Sequence, residues 1–387
     1  MSERSVAGPL PRELFPICDA WRYLNHASVS ALATPVAAAM MDWTATALEG
    51  GCFSGAPEDH AELVRAKAAR LMGVASEEIA FVKNTSEGLG FVASGIDWHP
   101  GDRILIPGLE FPSNVYPWTA LESRGVVVDA IPPEGPGEAV TLEAFQRAIH
   151  RGPPPRLLAL SWVQFRRGWR NDLAALTQVA HDAGALVCAD VIQGLGVLPA
   201  ELGQWGVDLA AGGAHKWLLG PPGIGLFFVR KGIMERLRPA EPGWASVRHR
   251  EEWDNLQLVW DDSARRYESG TVNLVGIAGL GAALDLLLAA GEEALWEHVD
   301  GLCRRLAAGL ADLGARVLSA REGDGRSGIV TFELAGHDPG ELVERLAQRK
   351  VVVSPRGGGV RVSPHGYNDS EDVDALLEAL NEITRRS

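Results

Sequence analysis

Two side chains in the middle of the sequence, Lys216 and Asp190, can act together on one small ligand. Asp190 closes an apolar run that begins at Leu186. A second apolar run, Val207 to Ala211, leads through a turn of small residues into His215-Lys216. A Gly/Pro-rich bend, Gly220 to Gly225, leads into a third run, Ile224 to Arg230. Short apolar runs closed by turn signals predict buried strands. An acid at the end of one strand and a lysine just past another then meet across a crevice at the strand ends. Such an amine makes a Schiff base with a carbonyl ligand, and such an acid pairs with a ring nitrogen at the ligand's far end. Pyridoxal phosphate needs this pair of groups.

Other blocks supply further groups in chain order. Ile79 to Val82 reads as a strand, and Lys83-Asn84-Thr85-Ser86-Glu87-Gly88 opens a helix that runs to about Gly95. Hydroxyls and free N–H groups at a helix start make an anion site, although the same residues also serve as a plain cap. Arg103 to Pro107 is a strand followed by Glu110-Phe111-Pro112-Ser113-Asn114. Further on come Tyr267-Glu268-Ser269-Gly270-Thr271-Val272-Asn273 and the stretch Ser354 to His365, which holds Arg356 and Arg361.

Asp190-x-x-Gln193 followed by His215-Lys216, with these blocks in the same order over nearly the whole chain, resembles the class V aminotransferase family of pyridoxal-phosphate enzymes. That family includes cysteine desulfurases, kynureninases and isopenicillin N epimerase-like proteins. The resemblance implies pyridoxal-phosphate fold type I. That is an α/β fold with a mainly parallel seven-stranded sheet flanked by helices, plus a small C-terminal α+β domain. The large domain is expected over about 21–254, and the small one over 255–387 together with 1–20.

The resemblance also implies the roles. Lys216 carries pyridoxal 5'-phosphate and acts at Cα of an amino-acid substrate, while Asp190 keeps the pyridine nitrogen protonated. Phe111 stacks on the ring and Gln193 reaches the phenolic oxygen. Thr85, Ser86 and His215 hold the phosphate, joined by Thr271 of a neighbouring subunit, so a homodimer is expected. Arg361 faces the substrate carboxylate, for which a guanidinium fork is suited, and Arg356 is either a second substrate contact or a surface arginine. The entry segment WRYLNHAS makes Asn25 and His26 either substrate contacts or ordinary turn residues. Side-chain specificity is expected from Asn25, the Gly50 to Gly55 loop, Trp169 and the region Trp244 to Trp260.

The sequence also departs from the desulfurase branch. Phe111 stands where desulfurases have a histidine, so proton transfer falls to Lys216. Their asparagine near Phe165 is missing, and Gly213 replaces a frequent serine. Ser354 to Pro364 contains no cysteine, although a desulfurase needs a thiolate there to accept sulfur. The segment SWVQFRRGWRNDL, Ser161 to Leu173, is similar to the epimerase-like branch. The favoured reaction is therefore β-elimination from a cysteine S-conjugate, a C–S lyase. Epimerisation and transamination remain alternatives, and a non-catalytic relative is a remoter one.

Composition fits this reading. A chain of 387 residues suits two domains. The net charge of -14 argues against a nucleic-acid surface. No apolar run has the length of a membrane span. Four cysteines, at 18, 52, 188 and 303, show no metal spacing and suit a reducing cytoplasm. Several local features are also expected: Thr34 and Ser370 as helix caps, an ion pair between Arg170 and Asp172, and an incidental Cys52. A helix over Leu274 to Leu288 should link the two domains.

Overall fold

In the computed structural model, residues 8–51 and 57–385 are described. Cys52 and most of the glycine-rich link around it lie outside the described residues. The large unit is built on seven strands: β1 Ile79–Val82, β2 Arg103–Pro107, β3 Val127–Ile131, β4 Leu157–Ser161, β5 Leu186–Asp190, β6 Leu209–Gly213 and β7 Gly225–Val229. Their order across the sheet is β1-β7-β6-β5-β4-β2-β3. The five strands from β6 to β3 run parallel, and β7 is antiparallel to both of its neighbours.

All strands of this sheet except β3 are buried throughout. Helices cover both faces, as a parallel sheet requires. Strand alternation divides the sheet between two cores. Leu158, Val187, Ala189, Ala210 and Phe228 face one layer, and Leu157, Cys188, Leu209, Ala211 and Phe227 face the other. The second layer holds α3, Thr85–Gly95. Gly88 lets this helix approach the sheet closely, since a Cβ there would fall 2.7 Å from the Cβ of Ala211. The start of α3 is thereby set beside the end of β6.

The first layer includes α1, Thr34–Gly50, and α2, Pro57–Met72, packed on the long helix Leu274–Ala290. That helix is apolar on nearly all sides and buried accordingly, with Gly279 against Met40 and Gly281 against Val64. Among the described residues no single helix is long and apolar enough to cross a membrane. The expected cap of α1 shifts by one residue. Ala33 is the N-cap, and the Thr34 hydroxyl donates instead to Leu14 O at 3.2 Å.

The second unit has strands β8 Arg316–Val317, β9 Val330–Glu333, β10 Ser354–Arg356 and β11 Gly359–Val362 in the antiparallel order β10-β11-β9-β8. Helices Glu292–Asp312, Pro339–Ala347 and Ser370–Arg385 pack on it. Asp369, not Ser370, supplies the capping oxygen of the last helix, accepting from Asp372 N at 3.1 Å. The N-terminal segment lies on this unit: Leu10 N donates to Gly366 O, Arg12 forks onto Asp372 at 2.7 and 2.9 Å, and Arg22–Tyr23 pairs with Val351–Val352. Residues 264–268, expected on the small side, pack on the large sheet instead. Tyr267 sits edge-on to Phe227, and Glu268 accepts from Arg65 and from Phe81 N, each at 2.7 Å.

Candidate active site

The carboxyl ends of β4, β5 and β6 open into a crevice of about 320 Å³. Register pairs Ser161 with Asp190 and Asp190 with Ala211, so the acid stands at the carboxyl end of the central strand with Lys216 five residues beyond its paired position. The second unit closes the other side with Arg356 and Arg361. Of the residues expected from sequence, Thr85, Ser86, Phe111, Asp190, Gln193, His215, Lys216, Arg356 and Arg361 all line this one crevice.

Asp190 is 2% exposed. Its carboxylate accepts from Ile192 N at 3.0 Å. Burial pushes its pKa up to about 6, opposed by that N–H and by Lys216. Burial likewise pulls the Lys216 amine down to about 8; Asp190 works against this, and Arg361 and Arg356 reinforce it. The Lys216 Nζ lies 5.6 Å from the centroid of the Phe111 ring. That ring leaves 39% of its surface open and is held edge-on by Phe165, with centroids 5.2 Å apart.

At the opposite wall, Asn84 caps α3 by accepting from Glu87 N at 3.0 Å. The Thr85 hydroxyl accepts from Gly213 N at 2.9 Å and keeps its own hydrogen free to donate. A Cβ on Gly213 would come within 3.1 Å of the His215 ring, so the serine frequent there in desulfurases would need the imidazole to shift by a few tenths of an ångström. Gln193 spends its carbonyl oxygen on Trp217 Nε1 and one amide hydrogen on Ala27 O, which leaves one N–H for a ligand. Arg361 donates to Phe165 O and to Ser28 Oγ, both at 2.7 Å, while its buried Nε–H has no partner.

Some sequence expectations fall elsewhere. His26 is fully buried behind the wall, between Ser363 O and the Tyr367 hydroxyl, each at 2.8 Å. Burial holds its pKa well below the usual imidazole range, so it stays neutral and structural. Asn25 is bridged through its backbone to Ser363, with its side-chain oxygen buried and unpaired. Neither residue lines the crevice; Ala27 and Ser28, one and two positions on, do. Thr271 is exposed and lines a separate groove with Lys83, Glu241 and Asn273. Trp169 faces a different cavity of about 450 Å³, beside Trp162 and Trp205. That larger space contains no lysine, and its one arginine, Arg170, donates to Asp324 O rather than pairing with Asp172, which caps the following helix.

Sequence reading missed Ser28, Ser113, Phe165 and Glu110. The Ser113 Oγ lies 2.7 Å from Ser86 Oγ, which doubles the hydroxyls at the anion end. Glu110 is buried beneath the Phe111 loop, accepts from Ser161 N at 2.7 Å and from the Ser161 hydroxyl, and is pushed up to about 7 by burial. Its place next to Phe111 in the sequence was the available signal.

Residues 23–376 match the family model for aminotransferase class V. The chain belongs to the class V aminotransferase family. It is 28% identical to an uncharacterised aminotransferase YcbU of Bacillus subtilis, covering 97% of each chain. It is also 29% identical to a probable cysteine desulfurase of Methanothermobacter thermautotrophicus, over 93% of this chain and 94% of that one. The solved structure of the cystine C–S lyase C-DES with its product cysteine persulfide superposes with a TM-score of 0.87 at 25% identity, over 95% and 98% of the two chains. The fold is thus pyridoxal-phosphate fold type I, and the cofactor is pyridoxal phosphate. The crevice fits that group: an amine and an acid at its floor, an open aromatic face, hydroxyls at a helix start, and an unused N–H on Gln193.

The buried amine has a thermodynamic signature. Its native pKa, about 8, is lower than its ordinary value of 10.5, so the native state binds the proton less well than the unfolded chain does. The resulting penalty is full below pH 8 and fades as pH rises towards 10.5. In cofactor-free protein, Lys216→Met should gain stability on the order of 3 kcal/mol near pH 7. Urea unfolding at several pH values checks this, and an advantage that does not shrink with rising pH contradicts it.

Proposed function

We propose that the protein is a C–S lyase that splits cysteine S-conjugates by elimination at Cβ. The observation that carries this reading is the β10–β11 hairpin. Gly357 and Gly358, both with positive φ, close it directly after Arg356. A short paired turn with an arginine therefore stands in the stretch where desulfurases need a cysteine on a mobile loop. With no enzymic thiol offered there, sulfur departs on its own substituent. The likeness to C-DES, a cystine C–S lyase, supports the same direction.

Bound pyridoxal phosphate supplies the electron sink at Cα. The Lys216 amine, eased towards neutrality by burial, takes the Cα proton as general base. Asp190 would face the ring nitrogen and favour a proton there. Thr85, Ser86 and His215 would hold the phosphate at the start of α3, and the free N–H of Gln193 would serve the phenolic oxygen. Arg361 takes the substrate's α-carboxylate with the N–H groups it does not spend on Phe165 and Ser28. As the Cβ–S bond breaks, its electron pair leaves with sulfur, which is protonated. One water completes the net change to thiol, pyruvate and ammonium.

S-aryl cysteines should release thiol and pyruvate in equal amounts, and Lys216→Ala should slow this by about 10²–10⁴-fold. If the conjugates stay intact while Cα–H exchanges with solvent deuterium and the centre inverts, the epimerase reading takes its place.

We read the active unit as a homodimer. Thr271 stands in a groove outside its own chain's crevice, where its hydroxyl is open to a neighbour. Trp244 and Trp253, in tilted contact with centroids 5.6 Å apart and exposed beside that region, suit a contact surface. Sedimentation of the holoenzyme should give two chains, with Thr271→Ala weakening cofactor retention. A fully loaded, active monomer would contradict it.

A further inference from the structure

The crevice carries more positive charge than the reading above uses. Its lining holds three cations, Lys216, Arg356 and Arg361, and a single acid, Asp190. Lys216 and Asp190 serve the cofactor and Cα, and Arg361 serves the α-carboxylate. Arg356 has no such task. Among the described residues it forms no ion pair and no side-chain hydrogen bond. Its neighbours differ: Arg166 and Arg167 are both neutralised by Glu138, at 3.0 and 3.3 Å.

Arg356 is also held in place. Its backbone pairs with Gly359 across the hairpin, and Ser354 pairs with Arg361. The turn between them is pinned from below, because Gly357 lies against Arg166 and its carbonyl accepts from Arg167 at 3.3 Å. Arg361 is thus buried deep in the wall, while Arg356 is exposed at the mouth above it. A cation carried on this pinned backbone at the mouth, on the same wall as the α-carboxylate site, can reach the part of an amino acid that extends beyond Cβ. A neutral leaving group gives it no partner, and an amine there would be repelled by Arg356.

We infer that this site is built for cysteine S-conjugates whose leaving group carries a second carboxylate, and that Arg356 receives it. The inference rests on the elimination reading. The carboxylate stays on the departing thiol, so Arg356 acts on binding and specificity and takes no part in proton transfer.

The test uses holoenzyme with S-(4-carboxyphenyl)-L-cysteine and S-(4-carbamoylphenyl)-L-cysteine, which differ in charge at the far end. KM from pyruvate release, and Kd from the change in cofactor absorbance and tryptophan fluorescence, are measured for each. The carboxylate should be preferred about tenfold, the worth of one charge-assisted hydrogen bond. Arg356→Gln should bring the ratio near one, and Arg356→Lys should restore part of it. An equal ratio in the native enzyme, or an unchanged preference in Arg356→Gln, overturns the inference. Binding preference without pyruvate from either compound sinks the elimination reading alone. Pyruvate without preference sinks this inference alone.

Discussion

The structure depends on one costly arrangement, a half-buried lysine amine and a buried carboxylate at the carboxyl ends of a sheet's central strands. Neither group is comfortable there by itself. Burial draws Lys216 towards its neutral form and Asp190 towards its protonated form, and each partly offsets the other. A ligand with an aldehyde at one end and a basic ring nitrogen at the other relieves both. The seven strands, and the close seating of α3 through Gly88, set the distances over which that relief operates.

The second unit completes the crevice. Its hairpin brings Arg361 into the wall, and the wall in turn depends on the entry segment, where Leu24 O accepts from Ser363 N and Ser28 accepts from Arg361. Behind it, His26, His365, Tyr367 and Trp217 make a buried aromatic layer. The His365 Nε2 meets Trp217 O at 2.9 Å, and the Ser30 hydroxyl meets Lys216 O. The backbone at Lys216 and Trp217 is thereby tied to the entry segment and to the opposing unit.

Much of this was legible in the sequence because it is local. Apolar runs closed by turns give the strands, and Asp190, His215-Lys216 and Thr85-Ser86 stand at strand ends where a crevice must form. Signals were lost where distant parts of the chain decide. His26 reads as a polar turn residue, yet the groups that bury it come from positions 363 to 367. Thr34 looks like a cap until Leu14 takes its hydroxyl. The end of β6 is two glycines, invisible to hydrophobic pattern, and they are strand only because β7 pairs with them. Arg170 and Asp172, close in sequence, turn to Asp324 and to their own helix.

The central claim is that Lys216 is the residue that receives the cofactor's aldehyde. Reduction of the yellow holoenzyme with borohydride fixes the cofactor to the lysine that holds it, and mass spectrometry of the peptides then locates it. The account predicts the pyridoxyl group on Lys216, with Lys83 and Lys231 unmodified. A label on either of those, or no covalent label at all, would contradict it.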